Sequence, residues 1–111
     1  MTKTIWKVPH DSPGTQHKIG LPKGSLYLST ITQSVDLKTE HLVSWFLVDA
    51  DVELEIRQFT IVGTGWPLQD DPGDYLATVM QRKDLLIWHL FEVTRKVEAT
   101  NGANYANVSA Y

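Results

Sequence analysis

The sequence predicts an all-β protein: an antiparallel meander of about six or seven strands forming a small sandwich or rolled sheet. Three observations predict it. Apolar residues recur with a period of two along successive short runs, and strand-forming Val, Ile, Thr, Tyr, Phe and Trp dominate those runs. Turn chemistry separates one run from the next, as in Pro22-Lys23-Gly24-Ser25 and Asp49-Ala50-Asp51. No segment of useful length shows the 3.6-residue period of an amphipathic helix.

The elements follow in order. Residues 4–8 form a first strand with Trp6 and Val8 on one face and Ile5 and Lys7 on the other; Pro9 closes it. Residues 10–16 are turn formers, and His17, Ile19 and Leu21 then alternate with Lys18 and Gly20 in a second strand that is expected to pair back on the first. Residues 26–35 form a third, with Leu26, Leu28, Thr30 and Thr32 on one face and Tyr27, Ser29, Ile31 and Gln33 on the other. Residues 36–40 make a charged loop. Residues 42–49 are apolar on both faces, as a central strand or one at a subunit boundary would be.

Residues 53–62 form the fifth strand, and its pattern changes phase midway. Leu54 and Ile56 are even-numbered, Phe59 and Ile61 odd-numbered. One extra residue near Arg57-Gln58 keeps all four on one face, which predicts a β-bulge; the alternative is a regular strand buried on both faces. The strand runs into Gly63-Thr64-Gly65-Trp66-Pro67. Two glycines open backbone angles closed to other residues, and Pro67 has no N–H for a ladder. Residues 75–81 form a sixth strand with Tyr75, Ala77 and Val79 on one side, and residues 85–93 a seventh, again apolar on both faces. Residues 1–93 read as a single β domain and residues 94–111 as a small-residue, weakly patterned tail. No internal repeat is evident. Two doubly apolar strands exceed what one domain of this size buries, which predicts a homo-oligomer.

Bulk properties exclude several classes. A chain of 111 residues buries roughly 60–70% of its unfolded surface, enough for a core without staples. With 13 acids against 10 bases the formal net charge is −3, against the basic bias of a duplex nucleic-acid binder. The absence of cysteine removes disulfides, thiolate catalysis and Cys-ligated zinc. Neither a signal peptide nor a membrane-spanning run is visible, so a cytoplasmic location is expected.

Reactive chemistry is thin. Gly63-Thr64-Gly65 lacks the Lys-Ser/Thr of a Walker loop and the third glycine and helix of a dinucleotide fingerprint. It offers backbone N–H groups and one hydroxyl, or simply a tight turn. Asp70, Asp71 and Asp74 read as a solvated turn without a calcium-loop pattern. The four histidines show no zinc spacing, and no Gly-x-Ser-x-Gly elbow exists. No enzyme, cofactor or metal is therefore expected. Aromatics are better supplied: Trp45 and Trp88 lie on apolar strands and read as core, whereas Trp66, between Gly and Pro, either stacks on a ring or plugs one end of the sandwich. Lys7 and Arg57 are candidates for phosphate contacts. The ligand-binding candidates are Lys7, Arg57, Thr64, Gly65, Trp66, Tyr75 and His89; His89 reads more simply as a core or interface histidine.

Several pieces taken together resemble a widespread family of small phage-encoded proteins, mostly uncharacterised. They are Thr4-Ile5-Trp6-Lys7-Val8-Pro9, Leu21-Pro22-Lys23-Gly24, Leu47-Val48-Asp49, Phe59 through Pro67, and Trp88-His89-Leu90-Phe91-Glu92, spanning residues 4–92. The family opens on Ile-Trp-Lys, carries a Gly-Thr-Gly-x-Pro loop and closes on His-x-Phe-Glu. This chain departs from it at Trp66, where members often have histidine, and in its long tail. The resemblance implies a phage protein in the host cytoplasm. The expectation built on it is counter-defence of the anti-CBASS sponge type, an oligomer that sequesters a cyclic dinucleotide or related small nucleotide without cleaving it. A protein-binding inhibitor or virion accessory module without a small ligand is the alternative, and an unassembled hydrolase the third reading.

Overall fold

A computed structural model describes residues 2–10, 16–34, 40–81 and 85–93. Among them seven strands form and no helix: β1 (Lys3–Pro9), β2 (Gln16–Pro22), β3 (Leu26–Ser34), β4 (Glu40–Asp49), β5 (Leu54–Gly63), β6 (Asp74–Gln81) and β7 (Leu86–Val93). They make a three-stranded sheet in the order β1-β4-β3 and a four-stranded sheet in the order β2-β5-β7-β6. Every pairing is antiparallel and no barrel closes. The expected tail, 94–111, the turn at 82–84 and most of the expected turn at 10–16 and loop at 36–40 lie outside the described residues; Gln16 and Glu40, placed in those connections, instead begin β2 and β4.

The all-β class agrees with the sequence pattern; one connection does not. β2 does not pair back on β1. β1 pairs with β4 and β2 with β5. The two longest strands, β4 and β5, take the interior of their sheets, and each short early strand is added to a different one. Trp6 and Val8 of β1 thereby face Ile19 and Leu21 of β2 across one shared core. At its centre Phe46 of β4 and Phe59 of β5 meet edge to face at 6.0 Å, both fully buried. β5 and β6 both run antiparallel to β7, so they are parallel to each other and residues 64–73 carry the chain from one end of the sheet to the other. Gly73, at φ 96°, closes that passage: a Cβ there would stand 2.0 Å from the carbonyl oxygen of Glu92.

β5 is regular. Its register with β2 runs without a shift from Gln16–Thr60 to Pro22–Leu54, so the bulge expected at Arg57-Gln58 is absent. Strict alternation then places Arg57, Phe59, Ile61 and Gly63 inward and leaves Leu54 and Ile56 on the outer face. An inward arginine is tolerated because its charge is met there. Arg57 Nε and Nη2 donate to the two carboxylate oxygens of Glu92 at 2.6 and 2.8 Å, and Nη1 donates to the Ser25 carbonyl at 2.5 Å. The guanidinium also lies 5.4 Å from the Phe46 ring centroid. The two side chains are only 15% and 17% exposed, so neither charge is left to water.

Removing one partner strands the other. Glu92→Gln is expected to lower unfolding stability by roughly 3 kcal/mol in urea, while Arg57→Met with Glu92→Leu together recover most of the loss. Single variants that each shift stability by less than ~0.5 kcal/mol would refute this role for the pair.

Candidate functional site

β3 and β6 are copies of one device. Tyr27-Leu28-Ser29-Thr30-Ile31-Thr32-Gln33 matches Tyr75-Leu76-Ala77-Thr78-Val79-Met80-Gln81 at Tyr, Leu, Thr and Gln, a short internal repeat that strand periodicity hides. Each copy begins a hairpin, with β4 and with β7. Each carries a register shift just after its tyrosine, between Tyr27 and Ser29 and between Tyr75 and Ala77. In a regular strand residues three apart point to opposite faces; one extra residue brings them to the same face. The tyrosine hydroxyl then reaches the threonine three residues on, at 2.7 Å in both copies. Each tyrosine also meets a cross-strand phenylalanine edge to face at 5.8 Å, Phe46 for Tyr27 and Phe91 for Tyr75. The face assignments expected for these two strands are corrected accordingly: Tyr27 joins Thr30 and Thr32 inside, and Tyr75 stands outside while Ala77 and Val79 face in.

The copies differ in which way the device faces. In β3 it faces the core. From Tyr27 and Thr30 the hydrogen bonds continue to Ser44 Oγ at 2.6 Å, from Ser44 to His10 Nε2 at 2.5 Å, and from His10 Nδ1 to His17 Nε2 at 2.7 Å. His10, His17, Ser44 and Thr30 are all buried. Burial first, and His17 second, push the His10 imidazole from 6.5 down to about 3, so it stays neutral at ordinary pH. Burial likewise raises the Tyr27 phenol, with neighbouring Tyr75 adding to the rise and the bond to Thr30 opposing it. A serine, a histidine and a second histidine are in contact here, but Ser44 has no exposed surface, so no substrate reaches it. The line ties β1, β2, β3 and β4 together inside the core.

In β6 the device faces out. Thr78 Oγ1 is 3.0 Å from His89 Nδ1, and His89 Nε2 is 2.8 Å from Thr64 Oγ1. The result is a continuous surface line, Tyr75–Thr78–His89–Thr64, on the outer face of the four-stranded sheet. His89 is half-buried there and is not a core residue. Thr64 and Gly65 are presented by a turn in which Trp66 N–H donates to the Gly63 carbonyl at 3.1 Å and Gly65 takes φ 84°. Trp66 folds back on Gly63, where a Cβ would lie 2.9 Å from its ring, and meets Trp88 edge to face at 5.3 Å. It is still 48% exposed, so it both covers the end of the sandwich and presents a ring edge. Nearby, Gln16 Nε2 donates to Gln69 Oε1 and Gln58 Nε2 donates to Gln16 Oε1, which pins the 64–73 passage to β2 and β5.

The structure thus brings together Thr64, Gly65, Trp66, Tyr75 and His89 and leaves two candidates elsewhere. Arg57 is engaged between the sheets. Lys7 lies on the outer face of the other sheet, where its Nζ donates to Gln33 Oε1 at 3.1 Å. Trp45, expected in the core, is half-buried on that same outer face beside Lys7. Thr78 was missing from the sequence-based candidates, although the repeated Tyr-Leu-x-Thr string marks it. Thr78 also lines a groove of about 520 Å³ where β3 packs against β6, with Thr30, Thr32, Ser34, Glu40 and Met80. Among the described residues no group of three or more His, Asp or Glu is placed to hold a metal ion, and no helix is long and apolar enough to cross a membrane.

Fold and site define an open antiparallel sandwich that carries a phenol–hydroxyl–imidazole line on one outer face and a buried copy of it within. The chain belongs to the family described as Domain of unknown function (DUF7352), whose model matches residues 1–101. No curated protein and no solved structure matches it.

The buried line makes stability depend on acid. The unfolded His10 takes up a proton below about 6.5 and the folded one does not until about 3. Stability is therefore complete above 6.5 and lost as pH falls toward 3, at about 1.4 kcal/mol per pH unit. Urea unfolding between neutral and mildly acid pH should show this slope, and His10→Gln should flatten it; an equal slope in the variant would refute the assignment. At the surface site, Gly63→Ala should push the Trp66 ring outward and red-shift tryptophan emission without unfolding the sheet.

Proposed function

We propose that the protein is a non-catalytic binder of a small nucleotide signal, of the cyclic di- or trinucleotide kind, which it holds without cleaving. In this reading it serves a phage as a counter-defence sponge in the host cytoplasm. The observation that carries the reading is the outward line Tyr75–Thr78–His89–Thr64 beside the Gly63–Trp66 turn. Its parts suit a nucleotide. Tyr75 is exposed and held at a fixed tilt against Phe91, which offers a base a stacking surface. His89 spans two threonine hydroxyls, which places an imidazole and two hydroxyls, groups that hydrogen-bond phosphate or ribose oxygens, side by side on one exposed face. The exposed backbone at Gly65 adds a close approach that a side chain would block.

The same features argue against turnover. The described serine–histidine contact is sealed in the core, and the outward line holds no carboxylate or serine beside His89. The phosphate charge is met in this reading by hydroxyls, imidazole and backbone N–H groups, since Lys7 and Arg57 stand apart from the line.

Calorimetry across a panel of cyclic di- and trinucleotides is expected to give heat with at least one member, and chromatography of the released ligand should return it unchanged. Tyr75→Ala and His89→Ala should each weaken binding by roughly 10-fold or more. No heat across the panel would overturn the nucleotide reading in favour of the protein-binding module; a cleaved product would overturn the sponge.

A further inference from the structure

A buried hydroxyl on the outer face of the four-stranded sheet is left unpaired. Thr60 follows the inward Phe59 on β5, so alternation turns its side chain away from the core and onto that face. It is nonetheless only 7% exposed, and its Oγ1 has no hydrogen-bond partner among the described residues. Buried hydroxyls are nearly always paired, and one left unpaired works against folding. Valine has the same shape, suits a strand as well and carries no such penalty.

The register shows what surrounds the hydroxyl. Cross-strand partners share a face, so Tyr75 of β6, Phe91 of β7, Thr60 of β5 and Gln16 of β2 form one row across the sheet. Read in that order the row is phenol, phenyl, hydroxyl, carboxamide. Tyr75 and Phe91 meet edge to face at 5.8 Å. At the other end the Gln16 carboxamide accepts from Gln58 Nε2 at 2.6 Å and donates to Gln69 Oε1 at 2.7 Å. The next row holds Val62, His89 and Thr78. His89 is one strand and two residues from Thr60, roughly 8 Å between Cα atoms, so one ligand of nucleotide size spans both. Thr60 also differs from Ser44, which lies between the two sheets with no exposed surface. No second sheet lies over Thr60, and Gln16 and Gln69 beside it are exposed side chains.

We propose that Thr60 is a base-reading residue of the nucleotide site. A base laid along this row packs against Tyr75 and Phe91 and turns its edge to the Thr60 hydroxyl and the Gln16 carboxamide. The inference rests on the nucleotide reading above and adds which part of the ligand is recognised here. The chemistry selects a base and not a phosphate. Hydroxyl and carboxamide are neutral, and each both donates and accepts, as the edge of a base does. The aromatic end supplies the stacking surface that such a ring needs. On entry the base takes over the Gln16 bond to Gln69, an exchange between exposed side chains that leaves the strand ladder in place. His89, Thr78 and Thr64 are left for the sugar and phosphate.

Thr60→Val removes the hydroxyl and keeps the shape. Without ligand it is expected to unfold in urea no earlier than the wild type, because the group lost was unpaired. Toward the cyclic di- or trinucleotides that give heat with the wild type, it should bind roughly 10-fold or more weakly. The ratio of affinities between adenine-bearing and guanine-bearing members should move toward one, which a merely structural role would not cause. Thr60→Ser restores a hydroxyl and should recover most of both losses. Wild-type affinity in Thr60→Val, alongside a loss in Tyr75→Ala, would overturn the role of Thr60 and leave the nucleotide reading standing. Weaker binding with the ratio unchanged would overturn base reading, and so would earlier unfolding of Thr60→Val, since the hydroxyl then serves the fold. No heat from the wild type across the panel removes the nucleotide reading and this inference with it.

Discussion

The phase of β5 depends on one buried ion pair, and much of the molecule depends on that phase. A charge between two sheets is destabilising unless it is met in place. Arg57 is met three ways, by both oxygens of Glu92, by the Ser25 carbonyl and by the face of Phe46. Once Arg57 faces in, alternation carries Phe59 and Ile61 into the core and turns Gly63 inward. Its missing Cβ is where Trp66 lies down over the end of the sandwich. The next residue, Thr64, is then delivered to the outer face at His89. A bulge at Arg57 would have exchanged those faces or shortened the strand.

The second organising device is the bulged Tyr-x-x-Thr unit. One extra residue places a phenol and a hydroxyl on the same face, and the cross-strand partner extends the line, to Ser44 in one hairpin and His89 in the other. Turned inward, the unit ends on two buried histidines and joins four strands. Turned outward, it ends on a glycine turn at the surface. The inward copy bears on stability and its pH dependence; the outward copy carries the surface on which the proposed binding rests. The two hairpins pack along β3 and β6, where Thr32 Oγ1 donates to the Met80 carbonyl at 3.0 Å, so the two lines sit on either side of one seam.

Much of the fold was legible in the chain. Each of the seven strands lies within a residue or two of its expected bounds, because period-two alternation and turn residues are local signals. Thr64, Gly65, Trp66, Tyr75 and His89, candidates chosen from the glycine loop, the aromatics and a polar residue in an apolar strand, lie near one another in space, while Lys7 and Arg57 do not join them. Other features were not legible. The β1–β2 pairing failed because adjacency favours a hairpin, whereas covering both sides of a core required the two strands to part. The phase change in β5 was read as a bulge because Leu54, Ile56, Phe59 and Ile61 were placed on one face; the regular strand, given as the alternative, is the one the structure shows, and nothing near Arg57 in sequence announces Glu92. The real bulges, after Tyr27 and Tyr75, leave apolar alternation looking intact. Thr78, and the contact of His10 with His17, escaped notice because hydrogen-bond partners were sought at fixed spacings.

The sequence by itself determined an all-β chain, its strand boundaries, a backbone-exposing turn after Val62 and the absence of cysteine chemistry. These follow from propensities and sterics that act within a few residues. The tertiary structure decided which strands share a sheet, which way β5 faces, and that one Tyr-Thr unit is sealed in the core while its copy meets solvent. It also decided that Lys7 and Arg57 stand apart from the candidate site. Those choices are made by contacts between residues tens of positions apart, where burial and charge compensation, not local preference, set the outcome.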